Sequence, residues 1–453
     1  MPPSTKASAP IPLARRLLFP NTPPPTLLTG VPAELNDELH DFLALALRAF
    51  VQPWWSKLTK HDKEFIPEIA RVVAHAVRAL EPRARRADVS ALLLRDVPAL
   101  VAQHYEDFHG AQLRLGTSYA AGEGSLAETF HSLQPHIALT PEGAVRDEYL
   151  RQAVERVLQL VLPPEDWNAH AEREIVREIL VKVLIVDVFP RIVQPWFIQK
   201  MVLEVLGPPR TALMPRSKPS SPISFHAFVV LFLSVVQSIS TACLAVIAVF
   251  QRIRHSIAAI HAASKPVTDP TRQGLSRPII DLIGEVLSMR ARFASAMILA
   301  FLQMCMLCLS PWIDRYAPYV LEEQIGNPYL LLKIVRQGKK LLFPNGWPGP
   351  PPIEPTPEEQ VVIRESLEIR LAGLFPDAIA PILIGADMPA RRMTIKSAID
   401  PLTSVACNNH LLIFLVDALL LTLFPEMGCD TAATGDGGDG GGTTTTTRSA
   451  SPQ

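Results

Sequence analysis

Residues 225–250 read FHAFVVLFLSVVQSISTACLAVIAVF, without a single Lys, Arg, Asp or Glu. As a helix, at ~1.5 Å rise per residue, this run reaches ~39 Å, enough to cross the hydrocarbon core of a bilayer. Its polar residues are gathered rather than scattered. Ser234, Gln237, Ser238 and Thr241 fall at i, i+3, i+4 and i+7 and share one helical face, leaving the other faces apolar. A second charge-free run, FASAMILAFLQMCMLCLSPWI at residues 293–313, spaces Ser295, Gln303 and Ser310 roughly a heptad apart. The pattern predicts two greasy helices, each with a thin polar seam, that pack seam to seam. Helices of this kind want lipid, or an unusually apolar interior, around most of their circumference.

Elsewhere the apolar spacing is helical, and no stretch alternates with period two for long enough to build a sheet. Asn36 is placed as the N-cap of a helix burying Leu39, Phe42, Leu43, Leu47 and Phe50. A second helix buries Ile69, Val72, Val73, Ala76, Val77 and Leu80. Asp88 caps a third, through Val97, Tyr105 and Phe108, with Pro98 as a kink. Thr140-Pro141-Glu142 reads as N-cap, N1 proline and first-turn acid of a helix that buries Leu150, Val154, Leu158 and Val161. Another runs through Ile179, Leu180, Val183 and Leu184, with the charged face of Glu174, Arg177 and Glu178 turned to solvent. Beyond the second greasy run, Thr356-Pro357-Glu358-Glu359 forms a capping box, and the last helix passes through 410–427. The expected fold class is all-α. The Pro-rich residues 1–30 and the Gly/Thr-rich residues 428–453 are expected to be disordered, and 207–224 and 251–280 to be basic linkers.

A net charge of −1 over 453 residues gives no reason to propose nucleic acid as a partner. The five cysteines all lie beyond residue 240 and form no disulfide framework, which points to a reducing, cytosol-facing setting. No signal-peptide-like run opens the chain, so membrane delivery is expected to use the internal segments. His104 and His109, and His131 and His136, share an H-x4-H spacing that does not place two imidazoles on one helical face. Cys305 and Cys308 spell C-x2-C inside an apolar helix, where thiols behave as small hydrophobes. With no nucleophile elbow, P-loop or dinucleotide fingerprint, no enzyme, metal or cofactor is expected. The candidate chemistry is lipid contact. Leu231, Val235, Ile239, Leu299, Leu302, Met306, Ile413 and Leu420 are the candidate lipid-lining residues. Arg210, Arg216, Lys218, Arg252 and Arg254 flank the first run and are candidates for anionic lipid, at about 1 kcal/mol each near a surface. A hairpin with both folded halves cytosolic conflicts with the basic loop between the runs. Three dispositions stay open: both runs dip into one leaflet, only the first spans, or both wall a lipid-holding cavity.

Several stretches carry a family resemblance. In the first half they are Leu100-x3-His104-Tyr105, Leu133-Gln134-Pro135-His136-Ile137-Ala138-Leu139, Glu148-Tyr149-Leu150-Arg151, Leu160-Val161-Leu162-Pro163 and Arg173-x3-Arg177-Glu178-Ile179-Leu180. On these, residues 31–206 resemble the PXA (PX-associated) domain of sorting nexins and their fungal relatives. Residues 281–427 look like a nexin C-terminal domain through Asn345-Gly346-Trp347-Pro348, Asn409-x-Leu411-Leu412 and Asp417-x6-Phe424-Pro425-Glu426. The resemblance implies two helical halves co-folded around an apolar channel, and a place at contacts between the endoplasmic reticulum and other organelles. No PX module lies between the halves, so the short fungal proteins that keep PXA and lack PX are the nearer analogy. The expectation is a non-enzymatic, membrane-associated protein that binds and moves phospholipid or fatty acyl chains. The alternative is an integral tether or scaffold whose PXA half binds a protein partner. His136, inside the family-like stretch, is expected to make a fixed buried hydrogen bond.

Overall fold

The structure, a computed structural model, describes residues 13–207 and 274–428 apart from 21, 60, 63, 118–123, 276, 349–353 and 376–378. The run at 225–250 therefore lies outside the described residues, with Leu231, Val235, Ile239, Arg210, Arg216, Lys218, Arg252 and Arg254. Among the described residues every named element is helical, and the β pairing is one isolated antiparallel bridge between Leu139 and Val145. The all-α expectation holds.

The first half comprises α1 (Leu13–Leu17), α2 (Ala33–Ala46), α3 (Gln52–Leu58), α4 (Phe65–Arg86), α5 (Val89–Ala91), α6 (Val97–Arg114), α7 (Leu126–Leu133), α8 (Asp147–Val161), α9 (Pro164–Asn168), α10 (His170–Lys182), α11 (Phe189–Ile192) and α12 (Pro195–Leu206). The second comprises α13 (Arg277–Val286), α14 (Phe293–Ile325), α15 (Pro328–Leu342), α16 (Pro357–Ala372), α17 (Ala380–Leu383), α18 (Met388–Ile399) and α19 (Val405–Leu423).

Local signals explain most helix starts. Asp88 accepts the Ala91 N–H at 2.9 Å, and Thr356 and Glu359 complete a reciprocal capping box with Pro357 in the first turn. Pro98 acts more broadly than a simple kink. Three wide π-helical turns, Leu47–Val51, Leu92–Asp96 and Val183–Val188, each end two residues before a proline, at Pro53, Pro98 and Pro190. A proline lacks the N–H that would bond back four residues, and its ring presses on that carbonyl; the widened turn takes up the mismatch.

Two expected caps are corrected. Asn36 lies inside α2, where its Oδ1 accepts from the N–H groups of Leu27 and Leu28 at 3.0 and 2.9 Å. It ties down the preceding segment, and α2 begins earlier, after Pro32. Thr140-Pro141-Glu142 is a tight turn, closed by Thr140 N–H to Ala144 O at 2.9 Å and Gly143 N–H to Thr140 O at 2.8 Å. Gly143 has φ +79°, which halts a helix there, and α8 starts only at Asp147.

The core ignores the boundary between the halves. Ile413 of α19 is fully buried among Ala138, Leu139, Leu150 and Phe189, and Cys407 among Phe108, Ala111 and Phe130. Val202, Leu203 and Leu206 of α12 pack against Leu367, Ile384, Ile395 and Ile399. At the other end Arg336 and Lys339 of α15 pair with Glu34 and Glu38 of α2.

Candidate membrane-facing site

α14 is built the wrong way round for a helix bathed in water. Its polar seam turns inward. Ser295 is fully buried and donates to Ile382 O at 2.6 Å, while Gln303 donates to Asp281 of α13 at 2.8 Å. Ser310 donates to Asp314 at 2.7 Å, and the Asp314 carboxylate also accepts from the N–H groups of Gly274 and Leu275 at 2.7 and 3.0 Å. Among the described residues the seam found from spacing meets α13, Ile382 of α17, and Gly274 and Leu275 ahead of α13; its expected partner, the 225–250 run, lies outside the described residues.

Close approach of α13 depends on Gly284, where a Cβ would stand 2.8 Å from Leu299 Cδ2. Just before the helix, Arg292 is drawn into the protein. Its guanidinium donates to the carbonyls of Leu287 at 2.9 Å, Leu383 at 2.6 Å and Ile384 at 3.4 Å, and to the Thr394 hydroxyl. Burial holds its pKa below the ordinary arginine value.

The opposite face is apolar and bare. Phe293, Met297, Phe301, Met304 and Leu307 fall at i, i+4, i+8, i+11 and i+14, on one arc, and all are exposed, from 85 % for Phe293 to 56 % for Met304. Ala300 and Cys308 share that arc and are exposed as well. The helices α14 and α19 are both long and apolar enough to cross a membrane. They differ in degree: α19 sends Cys407, Asn408, His410 and Ile413 into the interior and α14 Ser295 and Leu299, with 22 % of the one apolar window buried against 11 % of the other.

The sequence-derived lining residues scatter. Leu299 is buried against Gly284, and Ile413 sits in the core of the first half. Leu302 is exposed on the flank of α14 opposite Phe293, and Met306 and Leu420 are half-buried. One apolar feature went unnoticed in the sequence: an open groove of about 360 Å³ lined by Ile192, Phe197, Ile198, Met201, Val202 and Val205. Its signal was present in the i, i+4, i+8 spacing of Phe197, Met201 and Val205.

Between the halves runs a polar clasp. His104 donates through Nε2 to Pro401 O at 3.2 Å, and Tyr105 donates to Ala398 O at 2.8 Å. Asp417 of α19 receives the Tyr149 hydroxyl at 2.5 Å and lies 3.0 Å from His136 Nε2, whose Nδ1 accepts the Ala138 N–H at 3.1 Å. Asn408 donates to Val193 O and Asn409 to Gly143 O, both at 2.8 Å. Burial pushes the His104 and His410 imidazoles down to about 4. Burial, helped by the Asp417 carboxylate, pushes the Tyr149 phenol up.

The PXA domain family matches residues 32–205. The chain carries a PXA domain. Over 153 residues it is 33 % identical to PXA domain protein 1 of Schizosaccharomyces pombe, covering 33 % of this chain and 29 % of that protein. It is 25 % identical over 197 residues to sorting nexin-14 of Danio rerio, covering 43 % of this chain and 20 % of the relative. With mouse sorting nexin-13 the figures are 26 % over 189 residues, 39 % and 19 %. The chain thus spans less than a third of the length of each of these relatives. No solved structure matches. His104, Tyr105, His136 and Tyr149 all lie inside the PXA domain, and each meets a group from helices beyond its end. Four of the residues that carried the resemblance, His104, Tyr105, His136 and Tyr149, bond the PXA domain to the C-terminal helices.

Proposed function

We propose that this PXA protein sits on a membrane through the outward face of α14 and takes up acyl chains there and in the α12 groove. The observation that carries this reading is the inverted polarity of α14: Ser295, Gln303 and Ser310 turned inward, Phe293, Met297, Phe301, Met304 and Leu307 turned out. Water solvates such a face poorly, and covering each large side chain gains about 1.5–3 kcal/mol. A face of this size is a standing drive toward a hydrocarbon phase. Lipid held in this way needs no specific chemistry, and the role is non-enzymatic: binding phospholipid or fatty acyl chains and moving them between closely apposed, cytosol-facing membranes, such as endoplasmic reticulum contacts. The groove beside Val205 is open and apolar, which suits an acyl tail rather than a headgroup. The test is flotation of the purified full chain with phosphatidylcholine vesicles, mass spectrometry of co-purified lipid, and transfer of a fluorescent lipid between vesicles. Phe301→Glu with Met304→Glu is expected to abolish flotation while leaving the folded circular dichroism spectrum intact. Wild type that neither floats, carries lipid nor moves it ends the proposal.

A protein partner for the PXA domain is favoured by a separate observation. Val176, Ile179, Leu180 and Val183 on α10 and the following turn are exposed along one face, with Glu174, Glu178 and Lys182 beside them. An apolar ridge with charged borders suits helix docking. Loss of a co-purifying partner on Ile179→Asp, with flotation retained, would assign the ridge to that role.

A further inference from the structure

Resting on the reading that the outer face of α14 meets lipid, we infer that this helix lies in the plane of a single leaflet and does not cross the bilayer. Three observations point there. Both ends of its apolar window are fastened to the protein body, at Arg292 by four acceptors and at Asp314 by the incoming Gly274 and Leu275. On the inner side of the window α13, with Gly274 ahead of it, runs antiparallel to α14, as Gly284 meets Leu299, Asp281 meets Gln303 and Gly274 meets Asp314. α13 and the turn after it carry Arg277, Asp281, Glu285 and Arg290 in an ion-pair ladder. A crossing α14 would drag that ladder through hydrocarbon, where each charge is costly. An in-plane helix leaves the ladder at the water side.

The geometry of the face agrees. From Phe293 to Leu307 the bare arc runs ~21 Å along the helix axis. Its most exposed side chains, from Phe293 to Leu307, lie within about a third of the circumference, as a helix sunk parallel to the surface requires, while Leu302 and Leu309 are exposed on the flank beside the seam. The same chain supplies a second charge-free run at 225–250, and the segment containing it returns at Gly274, against the end of the α14 window. The occupant of the face is therefore the acyl layer of the leaflet to which that run is drawn.

The experiment uses the full chain, with its native cysteines replaced by serine or alanine, reconstituted on phosphatidylcholine vesicles. Environment-sensitive probes are attached at Met297→Cys, Met304→Cys and Leu307→Cys and quenched by lipids spin-labelled at shallow or deep acyl positions. Equal quenching at all three sites, stronger from the shallow label, is expected. Ala291→Cys and Glu323→Cys, flanking the window, are both expected to react with a membrane-impermeant thiol reagent added outside. A depth gradient along the three probes, or protection of one flanking site until the vesicles are lysed, would overturn the in-plane placement. Unquenched probes on floated protein, together with disulfide crosslinking between wild-type copies through the exposed Cys308, would also overturn it, by showing the face against a second copy. Failure to float at all would instead sink the underlying membrane reading.

Discussion

Tyr105 reaches across 293 residues of sequence to donate its hydroxyl to the carbonyl oxygen of Ala398 at 2.8 Å. One residue earlier, His104 does the same to Pro401. The PXA domain is therefore finished from outside its own boundaries: its buried hydroxyl and imidazole find their partners on the residues that lead into α19, whose Cys407 and Ile413 then fill its core. A PXA domain without these helices would present unpaired polar groups beside an open apolar cleft.

Tyr105→Phe tests this bond. The ring stays buried, the hydroxyl goes, and the Ala398 carbonyl loses its cross-chain donor. A loss of about 1–3 kcal/mol is expected, read as a shift of the urea midpoint at constant slope. A variant as stable as wild type would mean that this bond does not join the halves.

Gly143→Ala is expected to be worse than its size suggests. The residue sits at φ +79°, and a Cβ there would stand 2.6 Å from Ala406 Cβ and 2.9 Å from Ala406 Cα. The left-handed backbone alone costs a side chain about 1 kcal/mol or more. The clash is with the α19 backbone, which is held in place by Asn409 bonding the Gly143 carbonyl. Limited proteolysis is expected to release α19 from the variant and leave the wild type intact.

Acid is expected to loosen the same joint. His104 and His410 have folded values pushed down to about 4, below the ordinary 6.5, so protons bind the unfolded chain more readily. Their contribution is whole above about pH 6.5 and falls away as pH drops toward about 4, by roughly 2 kcal/mol each by pH 5. Asp107 near His104 works against the loss, and His131 and His136 near His410 work with it. Denaturation midpoints at pH 7 and pH 5 measure the effect. His104→Gln keeps a donor for Pro401 and is expected to remove about half of it.

Much of this arrangement was legible in the sequence, and the failures share one physical cause. Periodicity tells which residues share a helical face but not where that face looks. Ser295, Gln303 and Ser310 were recognised as a seam, yet their partners, Asp281, Ile382 and Asp314, lie on other elements or one turn along, and the spacing names none of them. Caps behaved similarly. Asp88 and Thr356 bond the turn they begin, so local sequence sufficed. Asn36 bonds a segment eight and nine residues upstream, and Thr140-Pro141-Glu142 is overruled by Gly143, which yields to α19. Motif residues were found because they resemble a family; why they matter became visible only when His136 and Tyr149 met Asp417.

The fastening of α14 rests on Arg292, and Arg292→Met isolates its contribution. The guanidinium fork serves the carbonyls of Leu287, Leu383 and Ile384 and the Thr394 hydroxyl, so methionine fills the stem but leaves those acceptors without their donor. A loss of about 3 kcal/mol is expected, since several buried acceptors go unpaired at once. Arg292→Lys is expected to recover little of it, because one ammonium cannot reach acceptors arranged around a planar fork. The readout that separates anchoring from general stability is amide exchange. With the anchor gone, the first turns of α14 from Phe293 are expected to lose protection before α6 or α19 does. Uniform loss across all three helices would show that Arg292 supports the fold at large and does not specifically fix the helix that bears the apolar face.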